Sequence, residues 1–224
     1  MNVLIVYWHP EPASFNAAML RTAQKTLLAQ GHDVQTSDLG AQSFNPVSGR
    51  HNFTLAANAE YFKQQHEEQH AVEQHCFSDD VAAELEKLAW CDLLLFQFPL
   101  CWFAMPAMVK GWIDRIFVYQ QTYCQEARYE CGRFTDKQAL LAVTTGDPKC
   151  MYEPDGAHGD MLGVLKPIHR GVLAMTGFQV LPPFIAYEPA ELSEQERIVL
   201  LDQYQSRLEN ITRDTPLSIP PFKN

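Results

Sequence analysis

Two loops of the chain hold residue types that suit ligand binding. Trp102 and Phe103 are adjacent aromatics after the apolar run 93–98, and such a pair offers a flat apolar wall. Ser14 stands where the first apolar run gives way to a helical pattern, so the free backbone amides of a helix start there favour an anion such as phosphate. The simpler alternatives are that the aromatics are core plugs under the loop and that Ser14 only caps a helix.

A third pattern indicates a different chemistry. The stretch 66–70, HEEQH, matches HExxH, which on a helix would place two histidines on one face for zinc. Its flanks are rich in Gln and Glu, and no HExxHxxGxxH continuation follows. His75 and Cys76 could complete only a surface metal site. We therefore predict a solvated polar helix, and we expect neither a metalloprotease nor a physiological metal.

Composition excludes several classes of partner. The 224 residues carry a formal net charge of −10, which argues against a nucleic-acid or anionic-membrane surface. Apolar runs fall short of the ~18 residues that span a bilayer, and the amino terminus lacks a basic region before its apolar run. We expect a cytoplasmic protein. The six cysteines are scattered without a CxxC pair and are expected to be small hydrophobic residues rather than disulfide partners.

Hydrophobic periodicity predicts strands that alternate with helices. The predicted strands are 3–7, 32–39, 93–98, 139–143 and 178–181. The predicted helices are 15–30 capped by Ser14, 79–90 capped by Ser78, 106–117 with Pro106 in its first turn, 161–175 bent or broken at Pro167, and a last helix to about 211 behind the Ser193/Glu196 capping box. Lys110, Asp114 and Arg115 are assigned to the polar side of the third helix. Residues 40–77 are predicted to be an excursion with some helix, and 212–224 an extended proline-rich tail.

This alternation predicts an α/β fold: a single domain, 1–224, with a doubly wound five-stranded parallel sheet and helices on both faces. The strand order 2-1-3-4-5 is the natural choice for right-handed crossovers. Three loops, 9–16, 99–103 and 144–152, then meet at the carboxyl edge of the sheet, where open α/β sheets bind ligands.

Four ordered stretches carry a resemblance to a known family: HPEPASFN, QFPLCWFAMPAMVKGWIDRIF, TTGDPKCMYEPDGAHGDM and GFQVLPP. Together they resemble the NAD(P)H:quinone oxidoreductase family of flavodoxin-like flavoproteins. The resemblance implies a ping-pong reaction that carries a hydride from NADH or NADPH through FAD, or alternatively FMN, to a quinone. It also implies a homodimer with the pocket at the subunit junction.

Carried over position by position, the resemblance implies the site residues. Flavin phosphate and ribityl contacts fall on His9, Ser14, Phe15, Asn16 and Ala18, and ring contacts on Pro99, Leu100, Trp102, Phe103, Thr144, Thr145, Gly146 and Tyr152. Arg197 and Leu201 match positions that hold the adenine half of FAD, which favours FAD over FMN. The catalytic pair falls on Tyr152 and His158, and the substrate pocket on Trp102, Phe103, Tyr123, Met151 and Met175. The backbone amides of Thr145 and Gly146 are expected to serve a flavin oxygen.

Several positions depart from the family pattern. Asp147 stands where the family usually has glycine, and an anion there is expected to oppose negative charge on the reduced ring, so that Asp147→Gly would raise quinone turnover. Cys101, Gln125, Arg128 and Met175 replace a Gln, an aromatic, an apolar residue and a Phe. Flavin binding stays the expectation, whereas quinone size and preference are left open.

Two other functions compete with this one. Bacterial relatives of the family attach to potassium-efflux systems, so a regulatory subunit of a membrane transporter is the alternative. A flavodoxin-like electron carrier is less favoured, because carriers expose their flavin and lack a Tyr/His pair beside a covered pocket.

Overall fold

The computed structural model describes residues 1–220, which form a parallel sheet with helices on both faces. The strands are β1 (Asn2–Tyr7), β2 (Asp33–Asp38), β3 (Leu93–Pro99), β4 (Gln138–Thr144), β5 (Gln179–Val180) and β6 (Phe184–Ala186). The helices are α1 (Phe15–Ala29), α2 (Gln64–Gln74), α3 (Asp79–Trp90), α4 (Ala107–Ile116), α5 (Met161–Ile168) and α6 (Glu194–Glu209). The predicted fold class and the strand order β2-β1-β3-β4-β5 are confirmed.

Alternating residues of the central strands build two cores, one on each face of the sheet. On β3, Leu94, Phe96 and Phe98 pack against α3, α4 and α5, whereas Leu93 and Leu95 pack against α1 and α6. Strands buried on both faces read as continuous apolar runs, which is why their sequence pattern was visible. The two layers hold the carboxyl ends of β1, β3 and β4 in a fixed relation.

The fifth position of the sheet is interrupted, which the sequence did not predict. β5 pairs with the start of β4 at Gln138 and Ala139, and β6 pairs with its end at 142–144. Pro182 and Pro183 lie between them, and a proline has no amide hydrogen to give to a neighbouring strand. The sixth short strand therefore extends the sheet edge to the end of β4, beside the predicted site.

Helical caps follow the sequence closely, with two differences. Ser14 accepts from the Ala17 amide, and the Ser193/Glu196 capping box is present. Pro106 is the residue before α4 rather than part of its first turn. Ser78 precedes α3 as predicted, but its hydroxyl donates to Asp80 Oδ1 at 2.6 Å instead of capping the helix.

The helix predicted at 161–175 changes type rather than breaking. α5 contains Pro167 and is followed directly by a π-helical turn, His169–Leu173, and a 3-10 turn, Ala174–Thr176. The tail prediction is partly wrong, because Ile211–Arg213 forms a 3-10 turn. Leu217 then donates its amide to Val180 O at 2.8 Å, so the tail lies beside β5. The last four residues of the predicted tail, 221–224, lie outside the described residues.

Arg115 was predicted on the polar side of its helix, and this prediction is wrong. Its side chain is 1% exposed and joins α4 to the excursion 40–77. The guanidinium donates to Asn52 Oδ1 at 2.7 Å and Asn45 O at 3.0 Å, and pairs with Asp80 at 2.7 Å. A buried guanidinium needs such partners, and the excursion supplies them. The excursion is thereby packed onto the domain and contains helix α2, as predicted.

The HExxH stretch lies on α2, but two of its residues are buried rather than solvated. Glu67 accepts from the amides of Ala57 and Asn58 at 2.6 and 3.1 Å. Glu68 accepts from the Tyr119 amide at 2.7 Å, and burial raises the pKa of its carboxyl. Through these hydrogen bonds the two glutamates connect α2 to neighbouring loops. Among residues 1–220 no group of three or more metal-binding side chains lies together.

Neither α2 nor any other helix within residues 1–220 combines the length and the apolarity that a bilayer crossing requires.

All six cysteines are free thiols, of which Cys76, Cys91 and Cys124 are buried. Burial raises the pKa of the Cys91 thiol to about 11, so this thiol stays protonated and unreactive at neutral pH.

His169 makes the stability of the fold depend on pH. Its side chain is buried, its Nε2 finds no partner within residues 1–220, and burial lowers its pKa to about 4. The unfolded chain binds a proton at this histidine below pH ~6.5, whereas the folded chain does so only near pH 4, so stability is lost as the pH falls through that window. Between pH 7 and pH 5 the loss from this residue is about 2 kcal/mol.

Replacing His169 with leucine removes both the titrating ring and its unpaired nitrogen. Urea unfolding at pH 7 and pH 5 is expected to show a smaller pH-dependent drop in the variant than in the wild type. Equal drops in the two proteins would contradict the assignment of this loss to His169.

Candidate active site

The predicted loops meet at one cavity. It has a volume of about 750 Å³ and opens at the carboxyl ends of β1, β3 and β4, beside the start of α6. Such a volume is within the range of small-molecule and cofactor sites. Most of the predicted cofactor positions line it: His9, Ser14, Phe15, Asn16, Ala18, Pro99, Leu100, Thr144, Thr145, Gly146, Arg197 and Leu201. Trp102, Phe103 and Tyr152 are not among its lining residues.

One end of the cavity is the amino terminus of α1. Ser14 has extended backbone dihedrals and caps the helix, so the amides of the first turn and the helix dipole face this end. His9 Nδ1 lies 2.9 Å from the amide nitrogen of Glu11 and 3.1 Å from its carbonyl oxygen, so contacts within the loop hold the imidazole at this end of the cavity. This end of the cavity therefore suits a negatively charged group.

A buried polar chain supports the middle of the cavity. Asn16 is 1% exposed and donates from Nδ2 to Thr144 Oγ1 at 2.6 Å. Its backbone oxygen accepts from Gln97 Nε2 at 2.7 Å, and Gln97 Oε1 accepts from the Tyr204 hydroxyl at 3.2 Å. The chain ties α1, β3, β4 and α6 together behind the cavity. Buried hydrogen-bond networks of this kind fix one geometry in a core.

Trp102 and Phe103 form a strained two-residue turn. Both have positive φ, 49° and 58°, and Cys101 and Ala104 exchange backbone hydrogen bonds at 3.0 Å across them. Bulky aromatics rarely adopt this conformation, which Asn-Gly pairs usually fill. Trp102 is 93% exposed and Phe103 47%. Because the strain brings no burial for Trp102 within this chain, it indicates a functional reason for presenting the two rings.

The strain at Trp102 can be measured with two matched variants. Trp102→Gly can adopt the positive φ freely, whereas Trp102→Ala cannot, and both remove the same indole. We expect the glycine variant to have the larger free energy of unfolding, by about 1 kcal/mol in urea titration. Equal stability of the two variants would mean that the turn is not strained.

Tyr152 and His158 come together beside this turn. Their ring centroids are 5.0 Å apart, and the Phe103 ring meets His158 edge-on at 5.1 Å. Tyr152 is 6% exposed, and desolvation, followed by the nearby Asp147 and Tyr187, raises the pKa of its phenol. Its hydroxyl therefore stays a hydrogen-bond donor at neutral pH. His158 Nε2 lies 3.1 Å from Asp147 Oδ2, a contact that the sequence did not predict.

The remaining predicted pocket residues are dispersed in a single chain. Tyr123 accepts a hydrogen bond from Gln65 of α2 at 3.2 Å, and Met151 packs on the core beneath its loop. Met175 lies in the 3-10 turn Ala174–Thr176. None of the three lines the cavity. Conversely, sequence reasoning missed several lining residues, Ala13, Pro189, Ala190, Glu194 and Ile198, and the supporting Gln97 and Tyr204.

The expected role of the Thr145 amide is wrong. This amide donates to Ala186 O of β6 at 3.1 Å, because the interrupted fifth strand continues the ladder to this point. The Thr145 hydroxyl donates to Asp147 O at 2.7 Å. Of the two amides, only that of Gly146 has no acceptor within residues 1–220.

Comparison with known proteins gives this site a family. A family model described as flavodoxin-like fold matches residues 1–209. The rat NAD(P)H dehydrogenase [quinone] 1 is 39% identical over 221 residues, which cover 98% of this chain and 81% of that protein. The chain belongs to the NAD(P)H dehydrogenase (quinone) family of flavodoxin-like proteins. The resemblance predicted from its four sequence motifs is thereby confirmed.

Other members of the NAD(P)H dehydrogenase (quinone) family agree with this. The rat ribosyldihydronicotinamide dehydrogenase [quinone] is 39% identical and covers 98% of this chain and 96% of its own length. A crystal structure from Klebsiella pneumoniae, assigned as a quinone reductase, superimposes with a TM-score of 0.89 at 35% identity over 96% of this chain and 86% of that chain. A glutathione-regulated potassium-efflux system ancillary protein from Enterobacter matches less: 34% identity over 108 residues, 48% of this chain and 58% of that protein.

The residues of the cavity fit a flavin nucleotide. Asn16 Oδ1 is buried and has no hydrogen-bond donor within residues 1–220, so it is an acceptor available to a ligand hydroxyl or N–H. A Cβ placed on Gly146 would meet no atom within 4 Å, so the cavity is open beside this backbone. The helix amino terminus offers amides for a phosphate, and Pro99 and Leu100 offer apolar surface for a ring.

Proposed function

We propose that this protein is a flavin-dependent NAD(P)H:quinone oxidoreductase that binds FAD in the cavity at the carboxyl edge of the sheet. The observation that carries this proposal is the convergence of the predicted cofactor positions on one cavity with a helix amino terminus at one end. The Tyr152–His158 pair beside it supplies proton and hydrogen-bond chemistry. The activities named for the rat relatives, at 39% identity over almost the whole chain, support the same reaction.

The length of the cavity favours FAD over FMN. Beyond the phosphate end at α1, the cavity continues along the first turns of α6, where Glu194, Arg197, Ile198 and Leu201 line it. FMN ends at its single phosphate and has no group to occupy that part, whereas FAD carries a second phosphate and an adenosine. The Arg197 guanidinium donates to Leu192 O at 2.7 Å, which holds the base of this extension in place.

When bound, the flavin takes a hydride from NAD(P)H and passes it to a quinone; the protein residues orient and polarise the reactants. Tyr152 donates a hydrogen bond to a reacting oxygen, and its raised phenol pKa keeps the proton in place. His158 supplies the proton that the reduced quinone needs. The Gly146 amide, which has no acceptor within residues 1–220, would donate to a flavin carbonyl oxygen. NADH and NADPH both fit this chemistry.

The substrate pocket is completed by a second copy of the chain in this proposal. Tyr123, Met175 and Trp102 do not line the cavity of their own chain, and Trp102 is 93% exposed. A two-fold dimer would bring these side chains of one protomer over the cavity of the other. Six free thiols suit a reducing compartment, so we place the dimer in the cytoplasm.

Steady-state kinetics test the proposed reaction. Purified protein is assayed with NADH, NADPH and menadione, with each substrate varied at several fixed concentrations of the other. Parallel double-reciprocal lines are expected, because the oxidised nicotinamide leaves as the first product before the quinone binds. A protein that binds flavin but does not oxidise either nicotinamide would be an electron carrier instead, and the proposal would be wrong.

Binding to a membrane transporter is the second candidate, favoured only by the partial match to the potassium-efflux ancillary protein. The two functions are compatible, since a quinone reductase can also be an ancillary subunit. Pull-down with membranes that carry such a transporter tests it. Retention of the protein by these membranes and not by transporter-free membranes would support this second function.

A further inference from the structure

We propose that Asp147 is a positioning residue that holds the His158 imidazole through Nε2 and leaves Nδ1 to serve the reacting oxygen. The proposal rests on the quinone reductase function above and assigns a role to a residue that the family pattern left unexplained. Asp147 lies in the loop after β4, and His158 in the glycine-rich loop before α5. Their side chains meet at 3.1 Å between Oδ2 and Nε2.

The His158 ring is held on several sides. Its backbone amide donates to Met151 O at 2.9 Å, which fixes the loop. The Tyr152 ring centroid lies 5.0 Å and the Phe103 ring centroid 5.1 Å from that of His158, so the imidazole contacts two aromatic rings. Aromatic contacts restrict the ring plane but do not distinguish its two nitrogens. The carboxylate of Asp147 does distinguish them, because it binds one nitrogen.

The Asp147 contact determines which nitrogen carries the proton. An ionised carboxylate only accepts hydrogen bonds, so Nε2 must carry a hydrogen in both the neutral and the charged ring. In the charged ring Nδ1 also carries a proton, and this is the proton that His158 can transfer. When a quinone accepts a hydride, with its two electrons and one proton, it takes this second proton and becomes the hydroquinone. His158 is left as the neutral Nε2–H tautomer and regains a proton from water.

The Asp147–His158 pair is too exposed to contribute much to the stability of the fold. The Asp147 side chain is 55% exposed and that of His158 21%. Exposed ion pairs contribute little to folding, with a median of about 0–1 kcal/mol. An orienting role needs no large net energy, because it depends only on the preference of one ring orientation over the other. In histidines generally, the hydrogen bond at one ring nitrogen sets the protonation of the other in the same way.

This role reverses the expectation from sequence alone. An unpaired anion beside the flavin ring would oppose its reduction, and Asp147→Gly would then raise turnover. In the structure the carboxylate faces an imidazole, so its charge is compensated whenever that ring is protonated. Removing Asp147 should therefore lower turnover with a quinone.

The first test is a spectroscopic one that needs no activity. Two-dimensional NMR of the FAD-loaded protein, labelled with nitrogen-15 at histidine and assigned with His158→Gln, reports the tautomer of each ring. We expect His158 of the wild type to be the Nε2–H tautomer when neutral, and Asp147→Asn to show a mixture. A mixture already in the wild type would overturn the proposal, whatever the activity of the enzyme.

The second test is kinetic and uses three variants of the holoenzyme. Asp147→Asn and Asp147→Gly are expected to lower kcat for menadione about tenfold with little change in KM, and Asp147→Glu to recover part of the loss. Unchanged or higher kcat in both variants would contradict the positioning role. If the wild type itself shows no quinone reduction while its NMR spectrum shows the fixed tautomer, the proposed function fails and the positioning of His158 stands.

Discussion

Replacing Gly146 with tryptophan is expected to weaken flavin binding about 100-fold while leaving the fold intact. Gly146 lines the cavity, a Cβ there meets no atom within 4 Å, and its φ lies outside the left-handed region, so a side chain can be accommodated by the backbone. The indole then occupies space that the flavin ring needs. Overpacking of up to ~3 kcal/mol corresponds to an affinity about 100-fold weaker, with loss of the yellow colour on purification.

A matched control is available at Gly171. A Cβ at this glycine would also meet no atom within 4 Å, but Gly171 lies in the π-helical turn after α5 and does not line the cavity. Gly171→Trp should keep the flavin content of the wild type, and circular dichroism should show both variants folded. Full flavin occupancy in Gly146→Trp would mean that the ring lies elsewhere.

Replacing His158 with alanine is expected to have the second large effect, a loss of quinone turnover. The variant should lose about 100-fold in kcat with a quinone, the lower range for a positioned proton donor, and should retain its flavin, since His158 does not line the cavity. Tyr152→Phe should also lower kcat, because the hydroxyl is lost while the ring contact with His158 remains. The measurement is stopped-flow oxidation of the pre-reduced enzyme by menadione, alongside the flavin content of each variant.

The histidines of α2 supply the control for this experiment. His66 is exposed on α2, within the HExxH stretch, and no catalytic role is assigned to it. His66→Ala should retain the wild-type kcat. Unchanged oxidation rates in His158→Ala would remove this histidine from the mechanism.

The central strands could be predicted because their signal is local. Strands buried on both faces are continuous apolar runs, and capping residues such as Ser14 and Ser193 act within one turn of the helix that they start. Alternation of strands and helices then restricts the topology to few choices. The strand order followed from these two facts.

What could not be predicted depends on partners far away in the chain. Arg115 has the charge of a surface residue, and only its contacts with Asn45, Asn52 and Asp80 explain its burial. Glu67 is similar, since its carboxylate accepts backbone amides from a loop without regular structure. The interruption of the fifth strand at Pro182-Pro183 and the return of the chain to β4 were both missed, because the pairing of β6 with β4 depends on the fold of the whole sheet.

In the candidate site, too, features with a local sequence signal could be predicted and contacts between distant loops could not. Loops at strand ends could be placed at one edge from the sequence, and most residues matched by the family resemblance line one cavity there. Gln97 could have been noticed, because a lone polar residue inside an apolar strand needs hydrogen-bond partners, which Asn16 and Tyr204 supply. The Asp147–His158 contact joins two loops whose relative position no local pattern determines.

The measurement that tests the account most directly is the identity and stoichiometry of the flavin in the purified protein. The visible spectrum should show flavin absorption, and mass spectrometry of the cofactor released by heat should give FAD at one molecule per chain. Release of FMN would mean that the cavity does bind a flavin and that only the assignment of an adenosine to its extension along α6 is wrong. A colourless protein that binds neither added FAD nor added FMN would contradict the assignment of the cavity and the oxidoreductase function with it.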